Sequence, residues 1–278
     1  GNDRQWHREE MELQLLLGQA LIAIEGYAAP ATIDAFHQAL RLSHEVDDIG
    51  GRMRALYGQW AGEYIACGPT GPLVEQFAVA AAEEDESGPK VISTRMQTLE
   101  LLHAREYESA LEQVERALRD YIPDEHRGLG REYGHDPRAA SLVYRCWLKW
   151  FLGYPDQSHT SMLEAMQWAD ELGHANTQGI VRCWGLVLSN ALRRDAKATE
   201  THAAQTVEFA SERVMFLWQG WSNVFLGWAQ VHNHRDPVGL RRIQGALEEL
   251  DRNSGLRFRP WLLALLGEAY STDRKSTR

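Results

Sequence analysis

The sequence predicts an all-α protein built as a stack of helical hairpins, and three observations carry that expectation. A small residue returns at Ala39, Ala80, Ala117, Ala165, Thr206 and Ala246, at intervals of 41, 37, 48, 41 and 40 residues. Three positions upstream stand Phe36, Phe77, Val114, Met162, Ala203 and Ile243, and one position downstream Leu40, Ala81, Leu118, Met166, Val207 and Leu247. Large, small, apolar at fixed helical offsets, repeated every ~40 residues, suits an array in which each hairpin packs only on its neighbours. Gly and Pro cluster between the periodic stretches, where they supply turn dihedrals and helix stops. No Pro/Gly/Ser-rich linker divides the 278 residues, so residues 1–278 read as one unit.

The helices pair in order. Leu13–Ile24 and Ile33–Leu42 flank the turn Gly26-Tyr27-Ala28-Ala29-Pro30, and Met53–Ala66 and Leu73–Ala82 flank Gly68-Pro69-Thr70-Gly71-Pro72. Val91–Ala104 and Ser109–Tyr121 make the third pair, and Ala139–Leu152 and Gln157–Leu172 the fourth, around Gly153-Tyr154-Pro155-Asp156. Asn176–Leu192 with Ala198–Ala210, and Phe216–Asn233 with Val238–Leu250, complete six repeats near 11–50, 51–88, 89–122, 138–173, 174–212 and 214–254. A partial seventh, 256–278, has a first helix at Arg259–Tyr270 and a polar tail from Ser271. It is either a capping helix or the start of an array that continues further.

Charge and cysteine usage narrow the function. A net charge of −10 with no basic run argues against nucleic acid or an anionic membrane as partner. Cys67, Cys146 and Cys183 are isolated in apolar helical contexts, the pattern of reduced, buried thiols in a cytoplasmic protein. No apolar run approaches the ~18 residues of a membrane span. Glu83-Glu84-Asp85-Glu86 reads as a solvated helix end before Ser87-Gly88-Pro89.

The motifs resemble the tetratricopeptide repeat (TPR). Leu266-Gly267-x-x-Tyr270 matches that family's first-helix motif, Leu17-Gly18-x-x-Leu21 nearly so, and Tyr107-x-x-Ala110 with Ala117 matches the second helix. The resemblance implies a right-handed superhelix of about six and a half repeats, with a period longer than the family's usual ~34 residues.

A narrower resemblance spans nearly the whole chain. Glu12-Leu13-Gln14-Leu15, Leu21-Ile22-Ala23, Gly26-Tyr27-Ala28-Ala29-Pro30, Tyr133-Gly134-His135-Asp136-Pro137, Leu152-Gly153-Tyr154-Pro155-Asp156-Gln157 and Glu171-Leu172-Gly173-His174 resemble one bacterial module. It is the TPR tail behind signal-transduction (STAND/AAA-type) ATPase domains, often with a class III adenylate/guanylate cyclase on the same polypeptide. What this implies is a non-catalytic regulatory arm that binds a protein, a peptide or the adjoining ATPase domain. No Gly-x-x-x-x-Gly-Lys-Ser/Thr phosphate loop occurs in these residues, so no nucleotide cofactor is expected here.

Candidate contact residues follow from the repeat numbering. Trp147, Trp150, Trp184, Trp221, Trp228 and Trp261 fall on first-helix positions that line the concave wall in the TPR family, whereas Trp60 falls on a packing position. A ladder of large rings would anchor a peptide, and a tightly wound array would instead bury it against its own turns. Arg145 and Lys149 share a helix face beside Trp147 and could meet an acidic peptide or phosphate. The 48-residue interval places its surplus in Asp120–Pro137, with His126, Arg127, Arg131, Tyr133, His135 and Asp136. That stretch is either a contact loop over the groove or a spacer whose Asp136-Pro137 starts the next helix. His232-Asn233-His234 has poor chelate spacing, so no metal is expected. Beside the protein-binding scaffold stands a second reading, a small-molecule receptor with the ligand caged inside the superhelix. A helical-array enzyme is the third, and no coherent catalytic site supports it.

Overall fold

A computed structural model describes residues 2–253 and 255–276, and among these the regular structure is entirely helical. The long helices are α1 (Asn2–Ile24), α2 (Pro30–Val46), α3 (Ile49–Ala66), α4 (Gly71–Glu83), α5 (Ser87–His103) and α6 (Tyr107–Asp120). Two single turns follow, α7 (Pro123–His126) and α8 (Leu129–Glu132), then α9 (Pro137–Phe151) and α10 (Pro155–Leu172). The next run joins α11 (Ala175–Ile180), a π-helical segment (Val181–Val187) and α12 (Leu188–Leu192), before α13 (Ala196–Glu212), α14 (Phe216–His234), α15 (Pro237–Arg252) and α16 (Arg259–Ser276).

Local chemistry sets these ends. Proline occupies the first turn of α2, α4, α9, α10 and α15, where its missing N–H costs no helical bond. Asp48, Asp136, Asp195 and Asp236 cap α3, α9, α13 and α15 by accepting from backbone N–H groups. Asp47, Cys67, Gly173 and Arg235 close their helices in the left-handed region. Cys67 is therefore exposed, unlike the buried thiol the sequence suggested, while Cys146 and Cys183 are buried.

The acidic run also takes a second role. Glu83 ends α4 and Glu86 is the N-cap residue of α5, so the charge lies beside a helix N-terminus that favours it. Ser87-Gly88-Pro89 forms the first turn of α5 rather than a break, and α16 runs through the tail to Ser276. Thr277 and Arg278 lie outside the described residues.

Helices pack neighbour to neighbour. First helices of successive pairs touch one another, as in α1 on α3, α5 on α9, α9 and α14 on the π segment, and α14 on α16. Each second helix packs against the two first helices that flank it. Side-chain hydrogen bonds step along the stack at nearly constant separation: Arg54 to Glu12 (42 residues), Arg95 to His135 (40), Trp218 to Asn176 (42) and Trp228 to Glu268 (40). All six recurrent small positions are buried, as are the residues three positions before them, which are bulkier in five of the six cases. These features are compatible with a helical repeat. No helix among the described residues is long and apolar enough to cross a membrane.

The tightest crossing joins α14 and α15. A Cβ added at Gly227 would lie 2.5 Å from the Gly239 carbonyl oxygen, and one at Gly239 equally close to that of Gly227. Backbone faces backbone, so no side chain can yield. Gly239→Ala should therefore destabilise the protein by about 1–3 kcal/mol through overpacking. Gly245→Ala, on the same helix with nothing within 4 Å, should instead gain up to about 1 kcal/mol of helix propensity. Urea denaturation of the two variants checks this, and equal midpoints would reject the crossing.

Candidate functional site

The first helices carry an unusual share of aromatic residues on their inner faces, and these meet in one cluster. Tyr57, Trp60 and Tyr64 on α3 succeed one another at centroid distances of 5.2 and 5.4 Å. Tyr144 and Trp147 on α9, Trp184 in the π segment, and Trp218 and Trp221 on α14 continue the cluster at 4.9–5.6 Å. Tyr64 reaches Trp184 across the interior at 6.3 Å.

The tryptophans are consequently not displayed on an open wall. Trp147, Trp184, Trp221 and Trp228 are buried, the first three against the chain's own α15–α16 connection. Phe258 packs edge-on against Trp147 and Trp184, at 5.8 and 5.2 Å, and at 6.2 Å from Trp221. Beside it the Arg257 N–H donates to the Ile65 carbonyl, and the Arg257 side chain donates to the Tyr64 carbonyl and lies over the Tyr64 ring. Trp228 is covered by α16, donating to Glu268 at 3.0 Å. Trp150 lies under Arg193 and Trp261 against Phe225, both half-buried. Arg145 is already neutralised by Glu115 and Glu164 and donates to Ser161, and Lys149 sits over the Tyr154 ring. An acidic partner would have to displace those carboxylates.

The Asp120–Pro137 stretch divides between structure and surface. Asp136 is buried and takes five hydrogen bonds: its carboxylate accepts from the Ala139 N–H, Trp168 Nε1 and the Tyr121 hydroxyl, its carbonyl accepts from the Ala140 N–H, and its own N–H donates to Thr177. That hub starts α9 and clamps it to α10 and α11. The buried His126 ring accepts from the Ile122 N–H at Nδ1 and faces Ser87 at Nε2. Tyr133 and His135 point inward and are buried, whereas Arg127 and Arg131 are exposed, Arg127 over the Trp168 ring. His232 and His234 are engaged by the Trp228 carbonyl and by Glu200, and no group of three metal-ligating side chains exists among the described residues.

Two adjoining, half-open spaces border the aromatic cluster. The outer chamber, about 400 Å³, is lined by Leu15, Ile22, Phe36, Tyr57, Tyr133, Met215, Leu217 and Trp218, with Arg54, Arg131 and Glu132 among its polar residues. Behind Tyr27, Tyr57, Ala61, Leu217 and Trp218, which border both, lies an inner space of about 30 Å³ walled by Trp60, Arg95, His135, Tyr144 and Trp184. Gly58 and Gly62 make this geometry possible. A Cβ at Gly58 would strike the Phe36 ring at 2.4 Å, and one at Gly62 the Tyr27 carbonyl oxygen at 2.9 Å.

Arg95 is the residue sequence reading missed. Only 3 % of it is exposed, and no described carboxylate forms an ion pair with it. Its contacts are the Tyr144 hydroxyl at 3.4 Å, His135 Nδ1 at 3.2 Å and the Tyr57 ring at 5.7 Å, and Nη1 has no partner among the described residues. Burial pushes the Tyr57 and Tyr64 hydroxyls above their ordinary range, so near neutrality they offer the guanidinium dipoles and no charge. The signal was present: Arg95 occupies the helical face of Val91, Ile92, Leu99 and Leu102, where an arginine breaks an apolar stripe.

Two outcomes follow. As core residues, Trp147, Trp184 and Trp228 should each cost roughly 3–5 kcal/mol of stability on truncation to Ala, measured by chemical denaturation; values below 1 kcal/mol would mean that the rings are not packed. His126 and His135 both accept at Nδ1, from Ile122 N–H and from Arg95, so a proton there would meet a donor. Desolvation holds both below the usual imidazole range, His135 well below. The unfolded chain then takes up protons first, so their contribution is complete above about pH 6.5 and is lost as pH falls below it. Urea midpoints should drop between pH 7.5 and 5, with a shallower slope in His126→Gln; a flat profile would refute the assignment.

The sequence matches no family model and no characterised protein, so the case for function rests on this geometry.

Proposed function

We propose that this chain is a non-catalytic, TPR-like right-handed solenoid that acts as a receptor for a small molecule held in its interior, and that occupancy is relayed to a neighbouring signalling domain. One observation carries the reading: a half-open, mostly apolar chamber of about 400 Å³ is lined by residues of the first helices, including Tyr57 and Trp218. That volume lies within the roughly 300–1,000 Å³ of small-molecule sites, which are mostly apolar with few placed polar groups. The π segment supports it, since such segments occur frequently at functional sites, and it places Trp184 against the inner space. A peptide lying along the tryptophans is the weaker reading, because Phe258 already occupies that position.

A protein partner keeps support elsewhere. Trp6, Leu13, Leu16 and Leu17 form an exposed apolar stripe along α1, and such a stripe suits docking of an adjoining domain such as the ATPase that the motifs suggest.

Ligand binding is testable with a metabolite library read by thermal shift and tryptophan fluorescence. Hits should raise the melting temperature, and Ala61→Met, which enlarges a residue bordering both spaces, should weaken them at least tenfold. A library without hits, or hits indifferent to Ala61→Met, would reject the interior site.

A further inference from the structure

The face of α14 that carries α15 returns on α16 uncovered. Shifted by 40 residues, Trp221, Leu226-Gly227 and Ala229 of α14 fall on Trp261, Leu266-Gly267 and Ala269 of α16, so the two helices share one register. On α14 the covered positions are Gly220, Asn223, Gly227, Gln230 and Val231. A Cβ at Gly220 would lie 2.9 Å from the Leu250 side chain, one at Gly227 2.7 Å from that of Ile243, and one at Gly239 2.7 Å from that of Val231. Arg242 donates to Asn223 at 2.7 Å and to Gln230 at 3.1 Å. The matching positions on α16 are Pro260, Leu263, Gly267, Tyr270 and Ser271, and all five are exposed. A Cβ at Gly267 would meet nothing within 4 Å. Elsewhere on α16, Leu262, Leu265 and Ala269 are buried, and Gln244 donates to the Tyr270 hydroxyl.

The chain fills such a glycine notch in one way. A Cβ at Gly18 on α1 would strike the ring of Phe36 at 2.8 Å, and Phe36 stands three positions before Ala39. Gly227 lies against Ile243, three positions before Ala246. Each time the filler is the large member of a large-x-x-small pair on the helix that follows. By the same geometry the Gly267 notch takes a helix bearing that pair. One difference from α14 refines the fit. Leu263 and Tyr270 replace Asn223 and Gln230, the two acceptors of Arg242, so an apolar residue suits the place where α15 has its arginine.

We propose that the exposed face of α16 seats an amphipathic helix of a partner protein, running antiparallel to α16 as α15 does on α14. The seat continues, one period on, the interface that α15 makes with α14, and it uses an apolar helix face as the anchor of a partner helix. It is separate from the chamber and from the α1 stripe, and stands whether or not a small molecule binds.

The probe is a fluorescein-labelled peptide of residues 236–253 carrying Arg242→Leu, held helical by a hydrocarbon staple between positions 244 and 248, both exposed in the protein. Fluorescence anisotropy against the full chain compares it with the same stapled peptide retaining Arg242, and with one carrying Arg242→Leu and Ile243→Asp. The first should bind at least tenfold more tightly than either of the others. Gly267→Leu in the protein fills the notch and should weaken that peptide at least tenfold, while the melting temperature of the free protein stays the same or rises, since the new side chain enters open space and improves helix propensity. Leu263→Glu should give the same loss of binding from a second position. Absence of saturable binding, equal binding of the three peptides, or binding indifferent to both substitutions would overturn the proposal. Sedimentation equilibrium of the protein alone tests the other occupant: a dimer that dissociates on Leu263→Glu would mean that a second copy covers this face, and the partner helix would be rejected.

Discussion

Helices in this chain approach until backbone or a small side chain stops them, and the interior is a consequence of that approach. Where α14 crosses α15, Gly227 and Gly239 face each other so closely that neither tolerates a Cβ. Where α3 meets α2, Gly58 receives the ring of Phe36. Close contacts of this kind draw the second helices tightly against the first, which then crowd toward a common centre. The large residues on the inner faces of α3, α9, the π segment and α14 have nowhere to go but into one another, and dispersion across many such contacts holds them there. Phe258, at φ 65°, completes the packing from the far end of the chain. An aromatic residue rarely adopts that backbone conformation, and here three surrounding indole rings support it.

What could be read from the sequence was what local periodicity encodes. Second helices such as α6 and α15 are amphipathic, with Ala110, Val114 and Ala117 or Leu240, Ile243 and Leu247 on one face, so their register is visible residue by residue. The first helices α3 and α14 are apolar nearly all round, and for such helices periodicity cannot separate the face that packs from the face that lines a groove. Whether Trp184 meets solvent or Phe258 depends on a contact between residues more than seventy positions apart. No short-range pattern contains it. Arg95 was legible in principle, as a charge inside an apolar stripe, because a buried arginine needs a reason that a buried leucine does not.

The inserted stretch shows one segment serving both ends. Its sequence suggested either a contact loop or a helix start, and the residues divide between them. Asp136 and His126 are consumed by caps and turns that fix α9 and the chain around it. Tyr133 and His135, three and one positions before the cap, are thereby aimed into the two interior spaces, while Arg131 stays at the outer chamber's edge. The rigidity of the cap is what gives His135 a fixed place beside Arg95. A longer interval between repeats, which costs little in loop entropy, so delivers polar groups to a wall that the regular repeats fill with aromatics.

The balance of donors and acceptors in that wall bears on why its polar groups are placed there at all. A core built for stability alone would put leucine or methionine at position 95, since replacing buried charge by packed apolar groups is often neutral or stabilising. It would also give each buried indole N–H an acceptor, as happens for Trp147, which donates to the carbonyl of Trp184, and for Trp168, which donates to Asp136. The remaining indoles do not sort by position: the N–H groups of Trp60, Trp184 and Trp221 have no acceptor among the described residues, whereas Trp218, which borders both spaces, donates to Asn176.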